Sequence, residues 1–343
     1  MPLGNALNKE VKVIFGLVRM KVNAARPKIV SIVVTTLISG LLVSIPVRAN
    51  AAACVPTSTT VSGETVLTFS ATGNCDWRVP AGVISARVLV VGGGSSGGSG
   101  VGGSAWPQGG GGGDVKDQSA IALTPGNVIP VVVGTGGAAI AVQGTAGTSV
   151  NDGGLSSFNT ISAAGGITPV NTTNKGGTSG NGNQGGTSSA PASGGGGGAG
   201  GAGSGLNGGV GINSNISGST VMYGSGGAGN NSSSGTASDG GGTAGNAPRA
   251  NQGGCGSSAA AGTGSASAGG SGVVIVRYAA PAGTSLVTFN ANNGIGSETT
   301  YISTANGGTL PSSTSITRAG FVFTGWNAAA NGSGTAYALG GAI

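Results

Sequence analysis

Glycine is concentrated in one long stretch of this chain, and that stretch limits what the chain can fold into. Residues 91–280 hold 59 of the 76 glycines, close to one residue in three. Glycine disfavours a helix by about 1 kcal/mol relative to alanine, and almost no window shows the 3.6-residue apolar period of an amphipathic helix. A strict Gly-X-Y repeat is absent, which excludes a collagen triple helix. Amphipathic α-helices are therefore disfavoured for this stretch, and a collagen triple helix is excluded.

The densest glycine run is suited to close packing of backbones. Residues 193–205 (SGGGGGAGGAGSG) have no side chain larger than serine. Fixing a glycine costs roughly 0.5–1 kcal/mol more than fixing an alanine, so only dense backbone contacts offset that cost. Polyglycine II-like strands provide such contacts, because backbones without Cβ atoms approach one another closely. We expect this packing from Lys175 to Gly272; the alternative is a flexible low-complexity segment.

The formal charge of +6 is unevenly distributed along the chain. Seven of the 14 Lys and Arg residues lie within the first 48 positions, whereas from Ala52 onward seven basic residues balance seven acidic ones. A neutral body has no field that steers nucleic acid or an anionic membrane towards it. We therefore expect no nucleic-acid partner, and membrane contact only through the N-terminal segment if that segment is retained.

The N-terminal segment has the pattern of an export signal. Basic residues precede the apolar run 29–47, and an A-x-A pattern follows at residues 49–51. Residues 1–51 therefore predict a signal peptide with a single helix, and a start at Met20 would give it an ordinary length. A retained membrane anchor is the alternative, since about 19 apolar residues just span a bilayer.

Export places the three cysteines in an oxidising compartment. Cys54 and Cys75 flank a short strand-turn-strand segment and form the natural pair, closing a loop of about 20 residues that contributes on the order of 3 kcal/mol. Cys255 is left over, and the chain contains no histidine that could activate it. We predict a Cys54–Cys75 disulfide and a spare or weakly paired Cys255.

Strand patterns bracket the glycine-rich stretch. Residues 52–64 are polar and rich in Thr and Ser, which predicts a lead-in with little structure of its own. Residues 65–70 (TVLTFS) and 83–91 (VISARVLVV) predict strands because they are rich in β-branched residues, and residues 71–76 predict a turn. Alternation in the second strand predicts one mostly apolar side. The run 273–278 (VVIVRY) predicts a closing strand.

Four segments follow one another in a characteristic order: residues 68–98 (TFSATGNCDWRVPAGVISARVLVVGGGSSGG), 123–137 (LTPGNVIPVVVGTGG), 147–166 (GTSVNDGGLSSFNTISAAGG) and 269–278 (GGSGVVIVRY). In this order they resemble the bacterial glycine-rich domain of secreted and surface proteins. The second segment resembles a hairpin of that domain and the last its closing strand. The resemblance implies a β-sandwich whose loops carry glycine-rich insertions, some of them polyglycine II-like.

Aromatic residues return after residue 285. The matching points are VTF (287–289), Leu310-Pro311, RAGFVFTGWN (318–327) and GSGT (332–335). They resemble one Listeria–Bacteroides-type repeat, a small β-rich module of bacterial cell-envelope proteins. NANNG (290–294) replaces the more usual acidic start and the chain stops about where a last strand would begin. We therefore expect either a slightly frayed module or a chain that continues past Ile343. Phe323 and Trp326 are expected to close the core of this small module.

These features divide the chain into a signal peptide, a lead-in, a glycine-rich β domain, a linker and a repeat module, over residues 1–51, 52–64, 65–278, 279–285 and 286–343. The predicted fold class is all-β: a β-sandwich with long glycine-rich insertions and a small β-rich C-terminal module, preceded by one signal helix.

Motifs that could carry chemistry are weak. Gly134-x-Gly136-x-x-Ala139 follows a strand as a dinucleotide fingerprint would, but no helical pattern follows it. A glycine run ending at Asp114 matches one calcium-binding repeat without a second copy, so Asp114 and Asp117 are expected to be solvated loop carboxylates. Nucleophilic catalysis lacks a histidine, and the cysteine spacing suits no zinc site. We expect no enzyme activity, no cofactor and no metal.

Trp106 and Tyr223 are isolated aromatic residues inside glycine runs. Each is either an exposed platform on which a sugar stacks or a filler of a gap between strands. The function predicted for the whole chain is that of a non-catalytic, exported cell-envelope or surface protein with a structural-display or adhesive role. The alternative is a soluble secreted binding module for glycans or for a flat repetitive surface. Cell-wall or glycan surfaces are the partners that these interpretations allow.

Overall fold

The computed structural model describes residues 54–98, 107–140, 151–170, 174–189, 192–229, 235–237, 239–243, 248–256, 266–281, 283–292, 297–303, 308–312, 314 and 316–342. All regular elements within these ranges are strands, and none of these residues forms a helix long and apolar enough to cross a membrane. The all-β prediction is confirmed. The predicted signal segment, residues 1–51, lies outside the described residues.

The strands of the described chain are, in order, β1 (Thr57–Val61), β2 (Glu64–Phe69), β3 (Gly73–Arg78), β4 (Ser85–Val91), β5 (Val115–Ala122), β6 (Val128–Val133), β7 (Ser156–Phe158), β8 (Ile161–Ala163), β9 (Ile212–Ser214), β10 (Val221–Tyr223), β11 (Val273–Ala279), β12 (Thr284–Asn290), β13 (Ser297–Ser303), β14 (Trp326–Asn327) and β15 (Ala336–Tyr337). β1, β2, β11, β4 and β5 form a five-stranded antiparallel sheet in that order. β3, β6, β7 and β8 form a second, four-stranded antiparallel sheet.

The two sheets enclose the main core as a sandwich. Leu67 of β2 and Val88 of β4 are fully buried from the larger sheet, and Val131 of β6 is fully buried from the smaller one. Trp77 of β3 lies at the centre, with its ring centroid 5.8 Å from that of Phe158. The predicted sandwich therefore has an apolar interior contributed by both sheets.

The five-stranded sheet is covered on its other face as well. Leu89 of β4 and Ile275 of β11 pack there against Ile216 and Tyr223, from the hairpin formed by β9 and β10. Alternate residues of β4 and β11 are buried on opposite faces of the five-stranded sheet, so the sequences of both strands are nearly continuous apolar runs. The prediction of one mostly apolar side for residues 83–91 agrees with Ala86, Val88 and Val90 in the main core, and Leu89 and Val91 on the other side are buried as well.

Three local predictions are wrong. Part of the lead-in 52–64 is ordered, since β1 pairs along its whole length with β2. The apolar alternation that marks a strand is missing there because β1 lies at the edge of the sheet and its threonines are exposed. The turn expected at residues 71–76 contains the start of β3. Residues 123–137 do not form a hairpin, because β5 and β6 belong to different sheets and the chain crosses from one to the other there.

Glycine-rich segments continue from one end of the sandwich and lie side by side. Successive amides of segment 92–98 donate to three different segments in turn. The amides of residues 92, 95 and 98 donate to segment 108–114, those of 93 and 96 to segment 151–154, and those of 94 and 97 to segment 267–270. A partner that recurs every third residue requires three residues per turn, which is the geometry of polyglycine II. Within residues 175–272, segments such as 193–200 are packed in this bundle, and the β9–β10 hairpin packs instead on the five-stranded sheet.

The bundle explains why glycine is required. Each of segments 92–98, 107–114 and 193–200 is hydrogen-bonded to surrounding segments on all sides. A Cβ atom on Gly196 would overlap the carbonyl oxygen of Gly110, and a Cβ on Gly93 that of Thr135. Side chains are therefore sterically excluded from the interior of the bundle, and the segments are held by backbone hydrogen bonds.

The repeat module consists of two short hairpins around a small core. β12 pairs with β13, and β14 pairs with β15. Phe289, Leu310 and Ile316 are buried, and Trp326 packs against them. The chain leaves the sandwich for this module at the end of β11, which lies opposite the end that carries the glycine bundle.

Candidate functional site

The predicted disulfide joins the two sheets of the sandwich. Cys54 and Cys75 are bonded, with their Cα atoms 4.9 Å apart. Cys54 precedes β1 at the edge of the larger sheet, and Cys75 lies in β3 at the edge of the smaller one. The main-chain amide of Cys54 also donates a hydrogen bond to the carbonyl of Asp76 at 3.0 Å. The disulfide thus links the edge strands on one side of the sandwich, and the predicted Cys54–Cys75 pairing is confirmed.

Cys255 is a free thiol inside the glycine bundle. It is fully buried, and its Sγ donates to the carbonyl of Ser225 at 3.2 Å. Burial raises the pKa of the Cys255 thiol to about 12. A neutral, buried thiol is a poor nucleophile and a poor metal ligand. Cys255 therefore packs in the bundle and carries no chemistry there.

The two isolated aromatic residues have different outcomes. Tyr223 is 4 % exposed and belongs to the core that covers the outer face of the five-stranded sheet. Burial raises the pKa of its hydroxyl. Tyr223 therefore presents no ring face to solvent and fills a gap between strands. Trp106 lies outside the described residues.

The two carboxylates expected in solvated loops are instead held by partners. Asp114 is buried, accepts a hydrogen bond from the amide of Val115 at 2.7 Å, and forms an ion pair with Lys116 at 2.8 Å. Asp117 accepts two hydrogen bonds from Arg87, at 2.9 and 2.7 Å. The expectation of solvated carboxylates is wrong. Within the described residues no group of three or more His, Cys, Asp or Glu side chains is placed to hold a metal ion.

Asp117 and Arg87 attach the β9–β10 hairpin to the sheet. The hydroxyl of Ser214 donates to Asp117 at 2.6 Å, and Arg87 donates to the side-chain oxygen of Asn215 at 2.7 Å. Burial alone would raise the pKa of Asp117, but hydrogen bonds from Arg87 and Ser214 outweigh it and lower the pKa. The sequence signal for this cluster was a single arginine inside an otherwise apolar strand.

One surface groove of the described structure lies in the repeat module. It has a volume of about 990 Å³ and includes the exposed residues Phe321 and Val322. Trp326 is among its lining residues, and the ring centroid of Trp326 lies 4.4 Å from that of Phe289 and 4.7 Å from that of Phe323. The prediction that Phe323 and Trp326 pack within the module agrees with these contacts. The sequence interpretation did not foresee a groove beside them.

The fold is thus that of a glycine-rich β protein: an antiparallel sandwich that extends into a polyglycine II bundle and is followed by a small β module. The glycine-rich domain family matches residues 69–279, and the chain belongs to that family. The Listeria-Bacteroides repeat domain matches residues 286–343. Both resemblances seen in the sequence are confirmed, in the same order. No curated protein matches the chain. The two domains together indicate a bacterial surface or envelope protein, since such repeats occur in surface and extracellular proteins.

Proposed function

We propose that this chain is a non-catalytic, exported protein of the bacterial cell envelope or surface, with a role in structural display or adhesion. The observation that carries the proposal is the glycine bundle, in which segments 92–98, 107–114 and 193–200 are enclosed on all sides. A backbone array of this kind is stiff, because each segment is fixed by several neighbours and has no side chains that could change rotamer. Such an array holds whatever lies at its end at a fixed distance from the sandwich.

Several described segments end close to one another at the far end of the bundle. Gly98 donates to the carbonyl of Gln108 at 2.8 Å, and Ala266 donates to that of Ile140 at 3.0 Å. Nearby, Ser96 donates to the carbonyl of Asn151 at 2.9 Å. We propose that contact with cell-wall or glycan surfaces is spread over this end of the bundle rather than concentrated in one pocket.

The alternative of a secreted lectin-like module has less support. Its glycan-binding form drew on Trp106 and Tyr223 as exposed stacking platforms, and Tyr223 is buried. Its other form, binding of a flat repetitive surface, does not depend on these two residues. The disulfide and the core that covers both faces of the five-stranded sheet favour a mechanical scaffold instead.

Accessibility of tagged variants on intact cells tests the proposal. One variant carries an epitope tag within residues 99–106, and the control carries the same tag within residues 124–127, at the opposite end of the sandwich. We expect antibody to label the first variant on intact cells, and cell-wall material to retain cells that display it. Labelling only after permeabilisation, or recovery of all the protein from the medium, would contradict the proposal.

The adhesive role has its own control. Gly196→Val places a side chain against the carbonyl of Gly110 and disrupts the bundle, whereas Gly201→Ala faces only a methyl group of Val210. We expect the first variant to lose at least about fivefold in retention on purified cell wall, and the second to lose none. Equal retention by both variants would show that the bundle plays no part in adhesion.

A further inference from the structure

The groove of the repeat module is not required for a scaffold role. It is lined by apolar and aromatic side chains, among them Phe289, Leu310, Phe321, Phe323, Trp326 and Tyr337. Phe321 is 64 % and Val322 is 89 % exposed, and the two are adjacent. An exposed apolar pair beside an apolar groove is typical of an interaction surface.

The backbone next to the groove has unused hydrogen-bonding groups. β14 pairs with β15 along one edge, at Trp326 and Tyr337. In the described structure the residues just before it, Val322, Phe323 and Thr324, take part in no hydrogen bond. Free main-chain donors and acceptors beside an apolar groove favour a partner that pairs through its own backbone.

One side chain adds a polar preference. Arg318 is the charged residue among those lining the groove, its guanidinium lies 4.1 Å from the centroid of the Phe321 ring, and it joins no ion pair within the described residues. The groove therefore offers a cation, which suits a carboxylate of the partner.

These features favour a peptide over a sugar. Two of the amide side chains that could bind sugar hydroxyls are engaged within the module: Asn292 donates to the carbonyl of Ala330, and both ends of the Asn327 amide are bonded within its own turn. Arg318 covers one face of the Phe321 ring. A sugar would therefore have to displace contacts that an extended peptide leaves in place.

We propose that this groove binds an extended peptide segment of a partner protein that carries an apolar side chain and a carboxylate. The peptide backbone pairs with the edge at residues 322–324, its apolar side chain packs over Trp326, and its carboxylate pairs with Arg318. Strand addition of this kind takes affinity from main-chain hydrogen bonds and specificity from the side-chain pockets. The inference stands independently of the adhesive role of the glycine bundle.

Binding of fluorescein-labelled peptides to the whole chain tests the proposal by anisotropy. The probes are eight-residue, end-capped peptides in which Val, Leu or Phe alternates with Ser or Thr, and in which one position is Asp, Asn or Lys. We expect Asp peptides to bind at least about fivefold more tightly than their Asn counterparts, and Lys peptides to bind least. The Arg318→Gln variant should lose the difference between Asp and Asn. The Arg249→Gln control, which removes an equal charge outside the repeat, should keep it.

Methylation of the peptide backbone tests the pairing itself. Two versions of the best Asp peptide carry N-methyl groups on alternate residues, one on the odd and one on the even positions. An added strand turns only one set of amides towards the groove, so one version should lose at least about tenfold in affinity and the other less than about threefold. Three results would each overturn the proposal. They are equal effects of the two methylated versions, no binding by any peptide, and an unchanged preference for Asp peptides in the folded Arg318→Gln variant. Self-association of the chain through Phe321, or competition by cell-wall sugars alone, would overturn it in favour of that occupant.

Discussion

Arg87 of β4 lies directly opposite Arg277 of β11 in the five-stranded sheet. Like charges at opposed positions repel, yet each arginine has a carboxylate on the next strand outward: Asp117 of β5 and Glu64 of β2. Segment 214–216 of the covering hairpin accepts further hydrogen bonds from both arginines. The arginine pair thus lets a polar part of the hairpin dock on a sheet that is otherwise apolar on this face.

Removal of one carboxylate tests this arrangement. Asp117→Asn leaves Arg87 beside Arg277 with only half of the compensating charge, and we expect the free energy of unfolding to fall by about 1–2 kcal/mol. Urea unfolding followed by tryptophan fluorescence measures the change. In the exposed pair of Asp239 and Arg249 the side chains are 55 % and 67 % exposed, and Asp239→Asn should cost less than about 0.5 kcal/mol. Equal losses in the two variants would show that the arginine pair needs no neutralisation.

The same carboxylate gives a pH dependence with a definite sign. Hydrogen bonds from Arg87 and Ser214 outweigh the effect of burial and hold the pKa of Asp117 below its ordinary value of 3.8. A carboxyl group whose pKa is lowered by folding stabilises the protein fully above the unfolded-state value, and this stabilisation is lost as the pH falls through the folded-state value. Asp117→Asn should therefore reduce the decline of stability below about pH 4. Urea midpoints measured across that range check it, and an unchanged decline would assign the acid sensitivity to other carboxylates.

A pair of alanine substitutions in one glycine run tests the packing of the bundle. A Cβ on Gly196 meets the carbonyl oxygen of Gly110, which the surrounding backbone holds in place, whereas a Cβ on Gly201 meets only a methyl group of Val210 at 3.3 Å. We expect Gly196→Ala to cost about 1–3 kcal/mol or more, and Gly201→Ala to cost less than about 0.5 kcal/mol. Hydrogen exchange over residues 193–200 should accelerate in the first variant alone. Low protection of these amides in the unmodified protein would contradict the packed bundle.

The sequence predicts those parts of the fold in which side chains carry the pattern. β2, β4 and β11 were found because β-branched residues alternate or run together there. β1 was missed because its threonines are exposed at a sheet edge and bury no face. The partners within the glycine bundle were beyond prediction for a physical reason: a segment without side chains has no pattern that selects one neighbour over another. Its neighbours are set by where the strands of the sandwich end.

The candidate sites follow the same rule. The Cys54–Cys75 bond could be predicted from spacing and export. Tyr223 could not be assigned, since an aromatic residue in a glycine run has the same local pattern whether it is buried or exposed. The groove beside Phe321 and Val322 was missed because the motif that contains them was interpreted only as core. The exposure of Phe321 and Val322 depends on which main-chain edges of the module remain unpaired. The local sequence pattern does not determine which edges those are.

Cys255 should be protected from alkylation by the bundle. Its thiol is fully buried, and burial raises its pKa to about 12, so little thiolate exists near neutral pH. We expect iodoacetamide at about pH 8 to modify the native protein at least about 100-fold more slowly than the urea-unfolded protein. Intact mass before and after treatment measures the extent of reaction. Rapid modification of the native chain would show that the bundle opens around this residue.

The disulfide should stabilise the sandwich measurably. In a Cys255→Ala background, which leaves no free thiol, Cys54→Ala with Cys75→Ala removes the bond that joins β3 to the start of the larger sheet. We expect the free energy of unfolding to fall by about 2–4 kcal/mol, because the unfolded chain regains the freedom of a loop with a sequence separation of 21 residues. Urea unfolding with and without dithiothreitol measures the loss, and the reductant should weaken the parent while leaving the double variant unchanged. An equal response of both proteins to the reductant would mean that the bond contributes nothing to the folded domain.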